Sequence, residues 1–231
     1  MFEELKEYVC KANKMLPEQG LVKFTWGNVS AVDRENNIVV IKPSGMDYGR
    51  MKAEDMVVVS LDDKKIVEGK LSPSVDLDTH IEMYRMFPQM NAIVHTHSKW
   101  ATIWAQAKKN IPALGTTHAD EFYGEICCTR EMREEEIREN YETNTGRVIV
   151  ETLKEKEIYE SGAVLVASHG PFVWGKNPVN AVEVAAVLEE VAEMALHTHT
   201  LSENRGENMQ KVLLDKHFLR KHGKDSYYGQ K

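Results

Sequence analysis

The sequence predicts an α/β fold, one central sheet with helices on both of its faces, and three observations carry that expectation. Short β-rich stretches separated by turn residues recur in the first hundred residues, as closely spaced strands do. Segments with helical apolar spacing stand before, between and after them, which places helices over both faces of one sheet. A chain of 231 residues, 42% hydrophobic and 28% charged, can bury one substantial core, so residues 1–231 are expected to form a single domain.

Met1 to Leu16 carries apolar residues at Phe2, Leu5, Tyr8, Val9, Ala12 and Leu16 among charges, the pattern of an amphipathic helix and not of a signal peptide. Pro17 and Gly20 stop it before a short strand expected over Leu21 to Trp26, and Gly27-Asn28 reads as a turn. Ile38 to Ile41, Val57 to Leu61 and Ile66-Val67 are three further strands, parted by Asn36-Asn37, Pro43-Ser44-Gly45 and Asp62-Asp63. Turns this short imply antiparallel pairing. A helix from about Asp76 to Phe87 leads into a strand over Ala92 to His97, then a helix through Trp100 and Trp104. The middle of the chain, with a charged segment around Glu131 to Glu142, is less regular. Ala163 to Ala167 reads as a buried strand ending at Ser168-His169-Gly170-Pro171, and helices follow over about Pro178 to Leu196 and Met209 to Lys221.

Charge and composition exclude several classes. A net charge of -7 without a dense Lys/Arg stripe argues against a nucleic-acid partner, so any phosphate must be held by a few local donors. No apolar run reaches membrane-spanning length. Cys10, Cys127 and Cys128 are odd in number and offer no disulfide framework, which fits a reducing cytoplasm.

The histidines carry the chemistry. His-Thr-His occurs at residues 95 to 97 and again at 197 to 199. On a strand, residues two apart share a face, so His95 and His97 can address one ion. On a helix they lie about 200° apart, so His197 and His199 diverge and read as helix-end solvation. A catalytic zinc needs about three protein ligands with a position left open. His169, between a buried strand and a sharp Gly-Pro exit, is the leading third ligand, at the kind of strand end where α/β sheets place ligands. Asp76, after Ser74-Val75, stands where an N-cap would, and Asp120 equally suits a helix cap. Gly27-Asn28 and Lys42-Pro43-Ser44-Gly45 offer small residues, backbone donors and one Lys, the materials of a phosphate nest and also of ordinary turns.

Gly27-Asn28-Val29-Ser30, Lys42-Pro43-Ser44-Gly45, Ser74-x-Asp76, His95-Thr96-His97-Ser98, His118-Ala119-Asp120, Ser168-His169-Gly170-Pro171 and the ending Leu219-Arg220-Lys221-His222-Gly223 to Tyr227-Tyr228-Gly229-Gln230 together resemble the class II aldolase and epimerase family nearly end to end. Asp76 and the Tyr-Tyr-Gly ending resemble its epimerase branch. The resemblance implies a three-layer α/β/α domain with a mixed, mainly antiparallel sheet, assembled as a homotetramer with active sites between subunits. It implies zinc held by His95, His97 and His169, with Asp76 beside the ion as a further ligand or base. Gly27, Asn28, Lys42, Ser44, Gly45, Ser74 and Val75 fall in its substrate and phosphate site, and Asp120 and Tyr228 where it keeps its acid and base. Val75 departs from the pattern, since a serine hydroxyl is expected there, and leaves only the backbone amide to help a phosphate.

The implied reaction interconverts L-ribulose 5-phosphate and D-xylulose 5-phosphate in pentose catabolism, with L-arabinose as the expected source. C4 is not adjacent to the carbonyl, so direct deprotonation cannot invert it, and no Gly-x-Gly-x-x-Gly follows a strand to hold a nicotinamide. Retro-aldol cleavage between C3 and C4 and re-addition remains, with zinc as Lewis acid and a proton-transfer group on each face of the aldehyde. The alternatives are an aldolase acting on fuculose or rhamnulose phosphate, a non-catalytic adducin-like module, and an iron oxygenase using two histidines and a carboxylate.

Overall fold

The computed structural model describes residues 2–156, 162–203, 207–224 and 226–228. In chain order the elements are helix α1 (Glu3–Glu18), strands β1 (Asn28–Asp33), β2 (Ile38–Ile41), β3 (Val57–Ser60) and β4 (Ile66–Glu68), helix α2 (Leu77–Met86), strand β5 (Ala92–His95), helices α3 (Lys99–Ala107), α4 (Thr116–Ala119), α5 (Glu134–Arg138) and α6 (Tyr141–Lys156), strands β6 (Ala163–Val166) and β7 (Gly170–Gly175), and helices α7 (Pro178–Leu201) and α8 (Lys211–His222). The seven strands form one sheet in the order β4-β3-β2-β1-β5-β7-β6. Each strand runs antiparallel to its neighbour, and a lone parallel bridge joins Cys128 to Leu165 at the β6 edge.

Because side chains alternate across a strand, the sheet's apolar residues divide between two cores. Val29, Ala31, Val40, Val58, Val94 and Val173 pack with α1, α3 and α7. Val39, Ile41, Val59, Ile93, Phe172 and Trp174 pack with Ile81 and Tyr84 of α2 and Ile149 and Leu153 of α6. These are the three layers the sequence led us to expect. The same alternation decides where the polar residues go: Asn28 and Ser30 of β1 and His95 of β5 all lie on the α2 face.

Three sequence expectations are displaced. Leu21 to Trp26 is irregular, and the strand begins at Asn28, where a turn was expected. Phe24 at φ 52° and Gly27 at φ 78° lie in the left-handed region, which no strand accommodates. Buried Asn13 of α1 sets the strand's start instead: its Oδ1 accepts from the Val29 amide at 2.8 Å and its Nδ2 donates to the Val29 carbonyl at 3.0 Å. The charged middle of the chain contains α6, a sixteen-residue helix, and Gly170-Pro171 opens a further strand, β7, between β5 and β6. The second His-Thr-His lies within α7, where His197 meets Trp100 and His199 meets Trp104, both on α3.

Candidate metal centre and anion cleft

β5 ends at His95, so His97 reaches the site from the loop before α3 rather than from the strand itself. That loop is anchored because Glu189 of α7 accepts from the amides of Trp100 and Ala101 at 2.8 and 3.0 Å. His169 arrives from the turn between β6 and β7, whose preceding residue, Ser168, takes φ 61° and donates its amide to the Ala105 carbonyl. β7 can approach β5 this closely because residue 170 is glycine: a Cβ there would stand 2.8 Å from the Thr96 carbonyl oxygen.

The result is three imidazoles whose ligand atoms all lie within 4.8 Å of one another. His95 is held on both sides. Its ring stacks on Phe172 at 4.1 Å, and its Nδ1 donates to the Pro171 carbonyl at 3.0 Å, leaving Nε2 as a free lone pair. Burial, helped by the neighbouring imidazoles, pushes His169 down to about 3 and lowers His97, so both are neutral at pH 7 as ligation requires. Three imidazole nitrogens at this spacing, open to a cleft, suit a divalent ion with a coordination position left for substrate.

Asp76 is at the N-cap position of α2 without capping it. Its Oδ2 instead accepts from Asn28 Nδ2 at 2.7 Å and from Ser74 Oγ at 3.3 Å. Burial opposes its charge, but His95, His80, His169 and the Asn28 amide together hold it below the ordinary carboxylate range. Asn28 spends its amide on Asp76 and Ser74, and its buried Oδ1 has no hydrogen-bond partner among the described residues.

The three histidines floor a cleft of about 520 Å³ that Gly27, Asn28, Lys42, Ser44, Gly45, Ser74, Val75 and Asp76 also line. Lys42 is the cation here. It is 2% exposed, its Nζ donates to the Thr25 and Pro43 carbonyls, and burial pushes it down to about 8. The ammonium also lies 5.0 Å from the Tyr48 ring centroid, and Asp47 and Asp76 favour its charge against that burial. Thr25, Trp26, Tyr141 and Glu142 complete the wall. Sequence reading missed all four, and Tyr141 and Glu142 enter only because α6 starts beside His169, with Tyr141 Oη 3.4 Å from His169 Nδ1.

Asp120 and Tyr228 do not line this cleft. Asp120 is the C-cap residue of α4, and its carboxylate accepts from both Arg220 and His217 of α8 at 2.9 to 3.1 Å. Tyr228 lies over the same Arg220, 4.6 Å from guanidinium carbon to ring centroid, and its amide donates to the Arg220 carbonyl. The two are thus gathered on one cluster outside the cleft lining, with Asp120, His217 and Arg220 partly buried and Tyr228 exposed. Gly229 and Gln230 of the ending lie outside the described residues.

A family model described as the class II aldolase and adducin N-terminal domain matches residues 7–196, and the chain belongs to that family. Among solved structures it is similar to an L-fuculose 1-phosphate aldolase, with 26% identity over 92% of this chain and 95% of the other and a TM-score of 0.71. The L-fuculose-1-phosphate aldolase of Thermus thermophilus shares 24% identity over 88% and 99% of the two chains, with a TM-score of 0.66. A sugar-phosphate aldolase from Thermotoga maritima shares the fold at 19% identity, 88% and 98% coverage and a TM-score of 0.68. Among the described residues, no helix is long and apolar enough to cross a membrane.

Proposed function

We propose that this protein is a zinc-dependent L-ribulose-5-phosphate 4-epimerase, working by cleavage and re-formation of the C3–C4 bond. The observation that carries the reading is one cleft lined both by the three histidines and by a buried Lys42. That pairing suits a small ketose phosphate, and sugar-phosphate aldolases stand among the chain's structural relatives. Zinc bound by His95, His97 and His169, with Asp76 beside it, supplies a Lewis acid for the ketose carbonyl.

The chain's own residues do the rest. Lys42, Ser44 and Gly45, with Gly27, Asn28 and the Ser74-Val75 backbone, hold the phosphate end. Retro-aldol cleavage takes the proton from the C4 hydroxyl, and re-addition to the opposite face of the aldehyde returns one. Two groups on opposite sides are therefore needed. Asp120 and Tyr228 fill these roles from a neighbouring subunit in a homotetramer, because their cluster with Arg220 lies away from the cleft of their own chain. The short Asp76, where related aldolases usually carry glutamate, favours epimerisation.

Zinc-loaded protein incubated with L-ribulose 5-phosphate should yield D-xylulose 5-phosphate, followed by NMR. The similarity to fuculose-phosphate aldolase favours one other reading, release of the cleaved fragments. Free dihydroxyacetone in stoichiometric yield would replace the epimerase reading with that one.

A further inference from the structure

Behind the cleft wall lies a polar chain that the proposed reaction does not use. His80, Ser30 and Tyr84 are all completely buried, with His80 Nδ1 2.7 Å from Ser30 Oγ and Ser30 Oγ 2.8 Å from Tyr84 Oη. Three proton arrangements join the three, because Ser30 Oγ can relay a proton in either direction or accept from both neighbours. If Tyr84 donates to Ser30 and Ser30 to His80 Nδ1, both hydroxyl hydrogens have acceptors and the imidazole carries its proton on Nε2. The opposite direction strands the Tyr84 hydrogen, a Ser30 that accepts from both neighbours strands its own, and in either case Nε2 is a bare lone pair. The first arrangement leaves fewer buried groups unsatisfied, and an unsatisfied one costs about 1–3 kcal/mol.

His80 is then a neutral imidazole with a fixed Nε2–H, and burial, which pushes it down to about 3, keeps it so. That nitrogen is buried without a hydrogen-bond partner among the described residues. Its neighbour is Asp76, four residues earlier at the start of α2. Residues at this spacing share a helix face, and the later side chain leans back toward the helix N-terminus. Asp76 Oδ2 already receives Asn28 and Ser74.

The geometry points to His80 as a positioning residue for Asp76: its Nε2–H reaches the carboxylate through one buried water and fixes which oxygen faces the three histidines. This inference rests on the reading of Asp76 as a group beside the ion. A buried water with polar partners on both sides is an ordinary structural component. Outer partners of this kind commonly change metal affinity or activity about 10- to 100-fold when removed.

The two ring nitrogens can be tested separately. His80→Asn keeps a polar atom near Nδ1 for Ser30 but removes Nε2, whereas His80→Gln places an amide donor near Nε2 and gives up the Ser30 contact. With cobalt(II) as the probe ion, His80→Asn should shift the visible spectrum and lower kcat about tenfold at unchanged KM, with His80→Gln nearer wild type. In an Asp76→Asn background the effect of His80→Asn on the spectrum should vanish. A reversed order of the two variants, or an undiminished effect in that background, would show a merely structural histidine and overturn the inference. Nitrogen-15 NMR of the unsubstituted protein gives a check independent of any variant: an Nε2-protonated His80 is expected, and an Nδ1-protonated ring also overturns it. Neither spectrum depends on the substrate, so a wrong sugar phosphate and a wrong role for His80 would be told apart.

Discussion

Gly27→Ala is the sharpest test of how the backbone builds the cleft. Gly27 takes φ 78°, and a Cβ there would stand 2.8 Å from the His95 carbonyl oxygen and 2.8 Å from Val22 Cγ1. A left-handed residue with a side chain costs about 1–2 kcal/mol. Overlap with packed neighbours adds about 1–3 kcal/mol, and the partner here is backbone, which yields least. The sum is about 3 kcal/mol. Gly20 provides the control, since it takes φ 70° with nothing within 4 Å of its would-be Cβ. Gly20→Ala should therefore lose only the conformational part, about 1 kcal/mol. Urea unfolding of the metal-free protein would separate the two by about 1 M in midpoint, for a slope of about 2 kcal/mol per M. Gly27→Ala should also retain less zinc, because the strained contact is the backbone of His95. Equal midpoints for the two variants would refute the argument that β1 and β5 meet too closely for any side chain at position 27.

Further expectations concern the ligands, the acid–base pair and pH. His97→Asn should lose zinc and activity together while keeping the fold, and unchanged zinc content in purified protein would remove His97 from the ligand set. Deleting Tyr227 to Lys231 should cripple turnover and leave metal content and thermal unfolding intact; an active truncated enzyme excludes Tyr228 from the chemistry. Lys42 titrates at about 8 because burial disfavours its charge, so it loses the proton as pH rises through that value. KM for a phosphorylated substrate should therefore climb above pH 8, and Lys42→Gln should show a high KM without that rise. His80 has its folded value depressed from 6.5 to about 3, so the unfolded chain binds the extra proton between those limits and stability falls as pH drops through 6.5. For this fully buried ring the loss at pH 5 relative to pH 7 is about 2 kcal/mol, measurable by urea unfolding of the metal-free protein and diminished in His80→Asn.

Much of this molecule is readable along the chain. The apolar periods of α1 and α2, the runs of β2, β3 and β6, and the turn at Asn36-Asn37 are local signals, and the structure keeps them. The histidine trio was legible because three imidazoles stand in two short motifs at strand ends, where few structural roles compete. His97 nonetheless reaches the trio from beyond the end of β5, so strand alternation named the right residue for an incomplete reason.

What the chain determined alone is the set of parts: an α/β fold, a candidate ligand trio, and a lysine with small residues fit for an anion. Tertiary structure decided the rest. The strand after α1 begins at Asn28 because a buried asparagine fifteen residues earlier claims Val29, and Tyr141 and Glu142 enter the cleft because α6 starts beside His169. Asp120 joins Arg220 across a hundred residues, and His80 finds Ser30 and Tyr84 only once α2 has packed on the sheet. Periodicity and turn chemistry act over a few residues, whereas a buried polar group takes whichever partner packing brings within about 3 Å, and that choice is written in no local stretch of sequence.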